Sequence, residues 1–200
     1  GRQAGAAMPL LVQAAEQAAD GGFGQGRGQA ALESIRAASA QGEWVTLSAP
    51  EALVQDDCFA ISAGWVLRRA AELDPARLRL RFLTPLTLTD RGRTLRLPEL
   101  GPLVRRIHER CQTLARYYAS APPAMLPPAD VWRERYLRLG ELADAAGLMR
   151  CDTRWVDVQS GSAVKRHWTP ISGLVGEAVW HGRPGPPLPW LIWGELMHAG

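Results

Sequence analysis

A six-residue alternation, Arg77-Leu78-Arg79-Leu80-Arg81-Phe82, constrains the fold of this 200-residue chain more than any other feature. Period two belongs to a β-strand, because successive side chains leave a pleated backbone on opposite sides. Two leucines and a phenylalanine then share one face, and three arginines share the other. Such a strand fits a sheet with one packed and one wet face, not a strand buried on both sides. The strand reading runs to Leu88, Asp90-Arg91-Gly92-Arg93 reads as a turn, and Thr94 to Leu97 reads as a return strand. Together they predict a hairpin whose basic side is exposed.

Helices are expected where apolar residues recur every three or four positions. Leu103, Ile107, Cys111, Leu114 and Tyr118 form such a stripe over Leu100 to Ala119, with Arg105, Arg106, Glu109 and Arg116 off it. His108 falls among the charged residues and is expected at the surface. Met8 to Ala19, Phe59 to Leu73, Val131 to Ala146 and Leu188 to His198 read as further helices. In the second of these, Ile61, Trp65 and Leu73 share a face, Arg68 and Arg69 lie outside, and Asp74-Pro75 ends the helix. Gln29 to Arg36, Trp44 to Leu47, Arg150 to Gln159 and Gly173 to Trp180 read as strands. From Arg77 onward the order is strand, return strand, helix, insertion, strand, strand, helix, which is β-α-β-β-α, a ferredoxin-like βαββαβ unit without its last strand. The earlier helix, Gly-rich segment and strand fit the tail of a second such unit. The expected fold class is therefore α+β with tandem ferredoxin-like (RRM-like) domains. Residues 1–75 hold the incomplete first domain and a linker, and residues 76–200 the second.

Several function classes lack their residues. No apolar run approaches 18 residues, and the N-terminus has no charged start followed by an apolar core and cleavage site. The expectation is a cytoplasmic protein with no membrane partner. Cys58, Cys111 and Cys151 are isolated from one another, with no Cys/His spacing that suits zinc, so no metal and no cofactor are expected. The segment G-G-F-G-Q-G-R-G, Gly21 to Gly28, lacks the G-K-[ST] of a P-loop. It also follows a helix, where a dinucleotide fingerprint needs a strand. G-x-S-x-G and H-E-x-x-H are absent too.

The cationic residues favour a phosphate ligand by position more than by number. Net charge is only +3, and Lys165 is the sole lysine among 23 basic residues. Guanidinium forks grip phosphates and stack on bases, although a GC-rich genome also favours arginine. Arg79 and Arg81, with Arg91 and Arg93 at the turn, could line an electrostatic groove. Arg27 lies in the Gly-rich segment, where the backbone can approach a phosphate closely. Lys165-Arg166-His167-Trp168 places two cations, a titratable ring and a stacking indole in four residues. A solvated loop with Trp168 capping the core is the alternative there. His198 sits at the end of the last helix, where the dipole also favours a histidine. His181, before Gly182-Arg183-Pro184, reads as a turn residue, and Trp190 and Trp193 read as packing.

These segments resemble a known family in their order and spacing. The strand L-R-F-L-T-P-L-T-L, ending at Leu88, resembles the one that opens the C-terminal domain of CRISPR repeat-processing endoribonucleases, the Cas-six family. L-P-E-L and the helix L-V-R-R-I-H-E-R-C-Q-T-L-A-R-Y-Y resemble the segment next after that strand in the family. S-G-L-V-G-E-A-V-W and W-G-E-L-M-H-A-G resemble the closing segment, and G-G-F-G-Q-G-R-G the loop that closes the first domain. The resemblance covers roughly residues 8–36 and 77–200. It implies a pair of ferredoxin-like domains of the repeat-associated RNA-binding (RAMP) superfamily. It also implies CRISPR precursor RNA processing, in which repeat RNA is bound and cut once without metal. The RNA supplies its own 2′-hydroxyl nucleophile, and the protein orients it, moves protons and stabilises the phosphorane.

Family members often carry a general-base histidine early in the first domain, whereas this chain has none before His108. A fragment lacking that histidine and the closing strand is thus expected. Catalytic residues stay open, with His167 and His198 as candidates. Arg27, Arg79, Arg81, Arg91, Arg93, Lys165, Arg166, His167, Trp168 and His198 are the expected RNA contacts. CRISPR repeat RNA is the expected partner, with other CRISPR effector or adaptation proteins beside it. A non-catalytic CRISPR RNA-binding subunit or fused module is the alternative, and a ferredoxin-like domain unrelated to RNA the third reading.

Overall fold

The computed structural model describes residues 7–22, 26–38, 43–47, 61–118, 125–162, 167–182 and 185–197. The chain divides into two compact units, Gly1–Trp65 and Val66–Gly200. In the first, helix α1 (Met8–Gly21) has Pro9 in its opening turn, where its missing N–H costs nothing. Gly22 follows with φ +81°, a left-handed conformation in which a Cβ would lie 2.7 Å from the Arg27 carbonyl oxygen. Glycine is required there for both reasons. Strands β1 (Ile35–Ala38) and β2 (Trp44–Leu47) then pair antiparallel, Ile35 opposite Leu47. The first strand thus begins later than the sequence suggests.

Helix α2 (Ala63–Glu72) starts where the Ser62 hydroxyl accepts the Trp65 amide N–H at 3.2 Å, a side-chain N-cap. Ile61 precedes the helix and is exposed, so it does not join Trp65 on a helical face. Asp74 accepts the Ala76 N–H at 2.8 Å in the turn after the helix.

The second unit is built on a three-stranded antiparallel sheet in the order β3-β7-β6. Its strands are β3 (Arg77–Leu86), β6 (Gly147–Ser162) and β7 (His167–His181). The opening strand of the unit thus pairs with the third and not with the second, which is the ferredoxin-like arrangement. Leu78, Leu80 and Phe82 point to the helical side, opposite Trp180, Ala178 and Gly176. That side holds the core, with Leu78, Leu86, Leu88, Leu103, Val104, Ile107, Ala178 and Trp180 buried together.

Helices α3 (Leu100–Tyr118), α4 (Ala129–Asp144) and α5 (Leu188–Leu196) complete the unit. Small residues let them close up. A Cβ on Gly194 of α5 would lie 2.5 Å from the Ile107 side chain of α3, and one on Gly140 of α4 would meet the Arg105 side chain. Arg105 crosses between the helices to Asp144 at 2.8 Å and Asp90 at 3.9 Å.

Three further expectations need correction. The predicted return strand at Thr94 to Leu97 is only β5 (Arg93–Thr94), paired with β4 (Thr89–Asp90) in a separate two-stranded sheet. His181 is the last residue of β7, not a turn residue, and its ring would obstruct a Cβ on Gly147. His108 is fully buried, not a surface residue, against Trp132, Tyr136 and Trp190 at ring-centroid distances of 5.1, 6.2 and 4.7 Å. It occupies the same side of α3 as Val104 and Ile107, which are also buried, so its ring is covered by α4 and α5.

Candidate functional site

The strand alternation that buries leucines also decides the other face of the sheet. Arg77, Arg79 and Arg81 of β3 project there, each exposed. Across β7 the register brings Arg150 and Asp152 of β6 to the same rows: Arg81, Glu177 and Asp152 in one, Arg79, Val179 and Arg150 in the next. Arg154 continues the face along β6. Five arginines and two carboxylates therefore share this surface. The sequence points to Arg79 and Arg81. Arg150 and Arg154 are hidden from it, because a bulge between Leu148 and Arg150 breaks the period at the start of β6.

Two ion pairs organise the charges. The Arg79 Nη2–H donates to Glu177 Oε2 at 2.7 Å, and Arg150 Nε is ion-paired with Asp152 Oδ2 at 2.5 Å. The bond from Arg79, with the further fields of Arg150 and Arg81, holds the Glu177 carboxyl below the usual carboxylate range.

Beyond Leu86, which pairs with Leu174, β3 leaves the sheet and β6 and β7 run on as a two-stranded ribbon from Val156–Gly173 to Ser162–His167. Its root is fastened on the helical side. The Arg96 guanidinium lies 3.8 Å over the Trp155 ring, and the Trp155 indole N–H donates to Asp157 Oδ1 at 3.2 Å. The Thr87 hydroxyl donates to the Ser172 carbonyl. Hydrogen bonds from Ser172 and then Trp155 hold the Asp157 carboxyl low. Val158 and Ile171, a cross-strand pair, are exposed on the ribbon.

The sequence-predicted residues divide accordingly. Arg79 and Arg81 come together on the sheet face. Arg91, with φ +46°, and Arg93 sit on the small β4–β5 hairpin, where Arg91 approaches its own neighbour Asp90 at 3.9 Å. They do not extend β3 into a continuous groove, because the return strand does not pair with β3. Arg27, exposed with φ +44°, belongs to the first unit. His167 and Trp168 open β7 at the far end of the ribbon, with backbones opposite Ser162 and Gly161. Lys165, Arg166 and His198 lie outside the described residues. Of the two other histidines, His108 is enclosed by aromatic rings and His181 ends β7 beside Gly147. Burial pushes the Cys111 thiol up to about 11, so it is a poor nucleophile. No group of three or more potential metal ligands occurs among the described residues. No described helix is long and apolar enough to cross a membrane.

Residues 80–200, from the middle of β3 onward, match the family described as CRISPR-associated endoribonuclease Cas6. The chain belongs to that family. Among solved structures, a Cas6 (TTHB231) product complex is similar over 94% of this chain and 63% of its own, at 18% identity and TM-score 0.50. Thermus thermophilus Cas6 (TTHB231) is similar over 76% of this chain and 58% of its own, at 16% identity and TM-score 0.43. A Cas6 (TTHA0078) substrate mimic complex is similar over 66% and 50%, at 16% identity and TM-score 0.34. No curated relative matches at the level of sequence. The chain spans less than two thirds of the length of these Cas6 structures. The Cas6 likeness agrees with the α+β, ferredoxin-like fold of the second unit.

Proposed function

We propose that this chain binds CRISPR repeat RNA and takes part in cutting it once, as its Cas6 membership implies. The observation that carries the reading is the arginine face of the ferredoxin-like sheet. Arg77, Arg81 and Arg154 are exposed there beside the two ion-paired arginines. Guanidinium groups on a fixed strand spacing suit successive phosphates of an extended backbone. The ribbon bearing His167 and Trp168 at its end adds a second place for RNA contact. Residues 163–166 between its strands include Lys165 and Arg166, which share that sequence cluster.

In the chemistry the family implies, a base removes the proton of an RNA 2′-hydroxyl. The freed oxygen attacks the adjacent phosphorus, the P–O5′ bond breaks, and the leaving oxygen takes a proton. The products are a 2′,3′-cyclic phosphate and a 5′-hydroxyl. Arginines near the phosphate would stabilise the charge that develops on its equatorial oxygens. Of the four histidines, His108 is enclosed and unavailable, which leaves His167, His198 and the exposed His181, opposite Arg77 on the sheet, as the residues to test as base or acid.

A second reading is a non-catalytic RNA-binding member of the same superfamily. Incubating the chain in EDTA with repeat RNA from the same source, beside a copy with a 2′-deoxy sugar at the cut site, separates the two. Cutting of the normal RNA alone supports the enzyme. Salt-dependent binding without cutting supports the binding subunit, and the absence of both removes the RNA reading.

A further inference from the structure

Glu177 stands at the centre of the arginine face, on the middle strand of the sheet. Its register partners are Arg81 on β3 and Asp152 on β6. Like charges placed directly opposite each other on neighbouring strands are unfavourable, so Glu177 beside Asp152 is not a neutral choice. The pair with Arg79 does little for the fold in return. The Arg79 side chain is 70% exposed against 22% for Glu177, and exposed ion pairs contribute little to stability. The larger consequence falls on whatever anion approaches the face. At 2.7 Å, Glu177 already accepts an N–H of the guanidinium that a phosphate would take. Arg150 is engaged in the same way by Asp152. Arg77, Arg81 and Arg154 have no such close partner among the described residues. The face thus combines three arginines without a close carboxylate, Arg81 in the row of the carboxylate pair and Arg77 and Arg154 further along, with two occupied ones beside that pair.

We propose that Glu177 is a specificity-determining residue of this face, competing with RNA phosphate for Arg79. The inference rests on the RNA-binding reading. An RNA that offers only its backbone must displace the carboxylate and then sit beside an unpaired negative charge. An RNA that presents a base with an exocyclic amino group at that point can donate to the released carboxylate, as cytosine N4 does to Glu and Asp. The carboxylate therefore lowers affinity for RNA in general and recovers the loss for a fitting sequence. Arg79 acts as the shared donor, and Gly176, with φ +125°, holds this part of β7 close to the Asp152 carbonyl.

The test uses the full chain and its Glu177→Gln variant, which keeps the side-chain shape and removes the charge. Each is titrated with repeat RNA from the same source and with oligouridine of equal length, whose bases carry no exocyclic amino group. The expected result is at least a fivefold gain in oligouridine affinity, with a smaller gain or a loss for the repeat. The preference for the repeat then falls. An Arg79→Ala, Glu177→Gln double variant should lose most of the gain, because the freed donor is gone. Equal changes for both RNAs, no change, or weaker binding of oligouridine would overturn the proposal. If the unmodified chain prefers the repeat and the variant keeps that preference, the Glu177 role alone fails. If the unmodified chain binds neither RNA, the RNA reading fails with it.

Discussion

A neutral imidazole enclosed by Trp132, Tyr136 and Trp190 leaves both ring nitrogens of His108 without a hydrogen-bond partner among the described residues. An unmet buried polar group costs about 1–3 kcal/mol, so His108→Phe, which keeps a planar ring, should raise stability by about 1–2 kcal/mol. Burial first, and the nearby positive charge of Arg135 second, push the His108 pKa down. The unfolded chain then binds a proton at a pH where the folded chain does not. Stability is therefore present above the unfolded histidine pKa of about 6.5 and is lost as pH falls below it. Urea denaturation at pH 7.5 and 5.5 should show a smaller drop for His108→Phe than for the parent, and an equal drop would refute this. On the opposite side of the sheet, Arg79 and Arg81 supply the electrostatics. Replacing both by alanine should weaken repeat binding and reduce the slope of log K against log salt by about 1.4, at about 0.7 per single-strand phosphate contact. A titration series from low to moderate salt checks it.

Strand β7 and the ribbon depend on two local devices. Gly176 has φ +125° and sits where a Cβ would strike the Asp152 carbonyl oxygen. Gly176→Ala should cost about 1–3 kcal/mol or more, because both the backbone conformation and the strand separation must change. Denaturant unfolding reads this directly, and a variant within about 0.5 kcal/mol of the parent, the ordinary scatter for surface changes, would show the strand relaxing freely. The ribbon root relies on Arg96 stacked over Trp155 and on Asp157 accepting the indole N–H. Arg96→Ala should leave the core intact while amide hydrogen exchange accelerates in the ribbon on either side of residues 163–166. Unchanged exchange there would mean the Thr87–Ser172 contact holds the root alone.

At the scale of the whole molecule, one sheet separates two environments. The helical side carries the packed cluster from Leu78 to Leu191, and the other side carries charge and Val179. A ligand that binds only the folded face stabilises the chain by mass action, about 2.7 kcal/mol at a free concentration 100 times Kd. Repeat RNA should therefore raise Tm, and by more at low salt than at high salt. An unchanged Tm at saturating RNA would contradict binding to this face.

The Arg77–Phe82 alternation determined a strand, its buried side and its basic side without help from the rest of the chain, because period two is a local property of the backbone. The βαββα order and the first part of the helix stripe on α3, Leu103 and Ile107, were legible for the same reason, whereas Tyr118 at its end is exposed. Long-range pairing decided what local pattern could not. Thr94 to Leu97 carries strand-like residues, but only Arg93–Thr94 forms a strand, followed by one backbone bond from the Leu95 N–H to the Leu88 carbonyl, and it does not join β3. Arg150 and Arg154 join the arginine face only because a bulge at Met149 resets the register of β6. His108 has charged sequence neighbours, yet the turn of α3 points it at α4 and α5, and only their approach buries it. Glu177 reads as one acid in an apolar strand until the register sets it between Arg81 and Asp152. Local chemistry thus fixed the elements, and the meeting of distant strands and helices fixed which charges face one another.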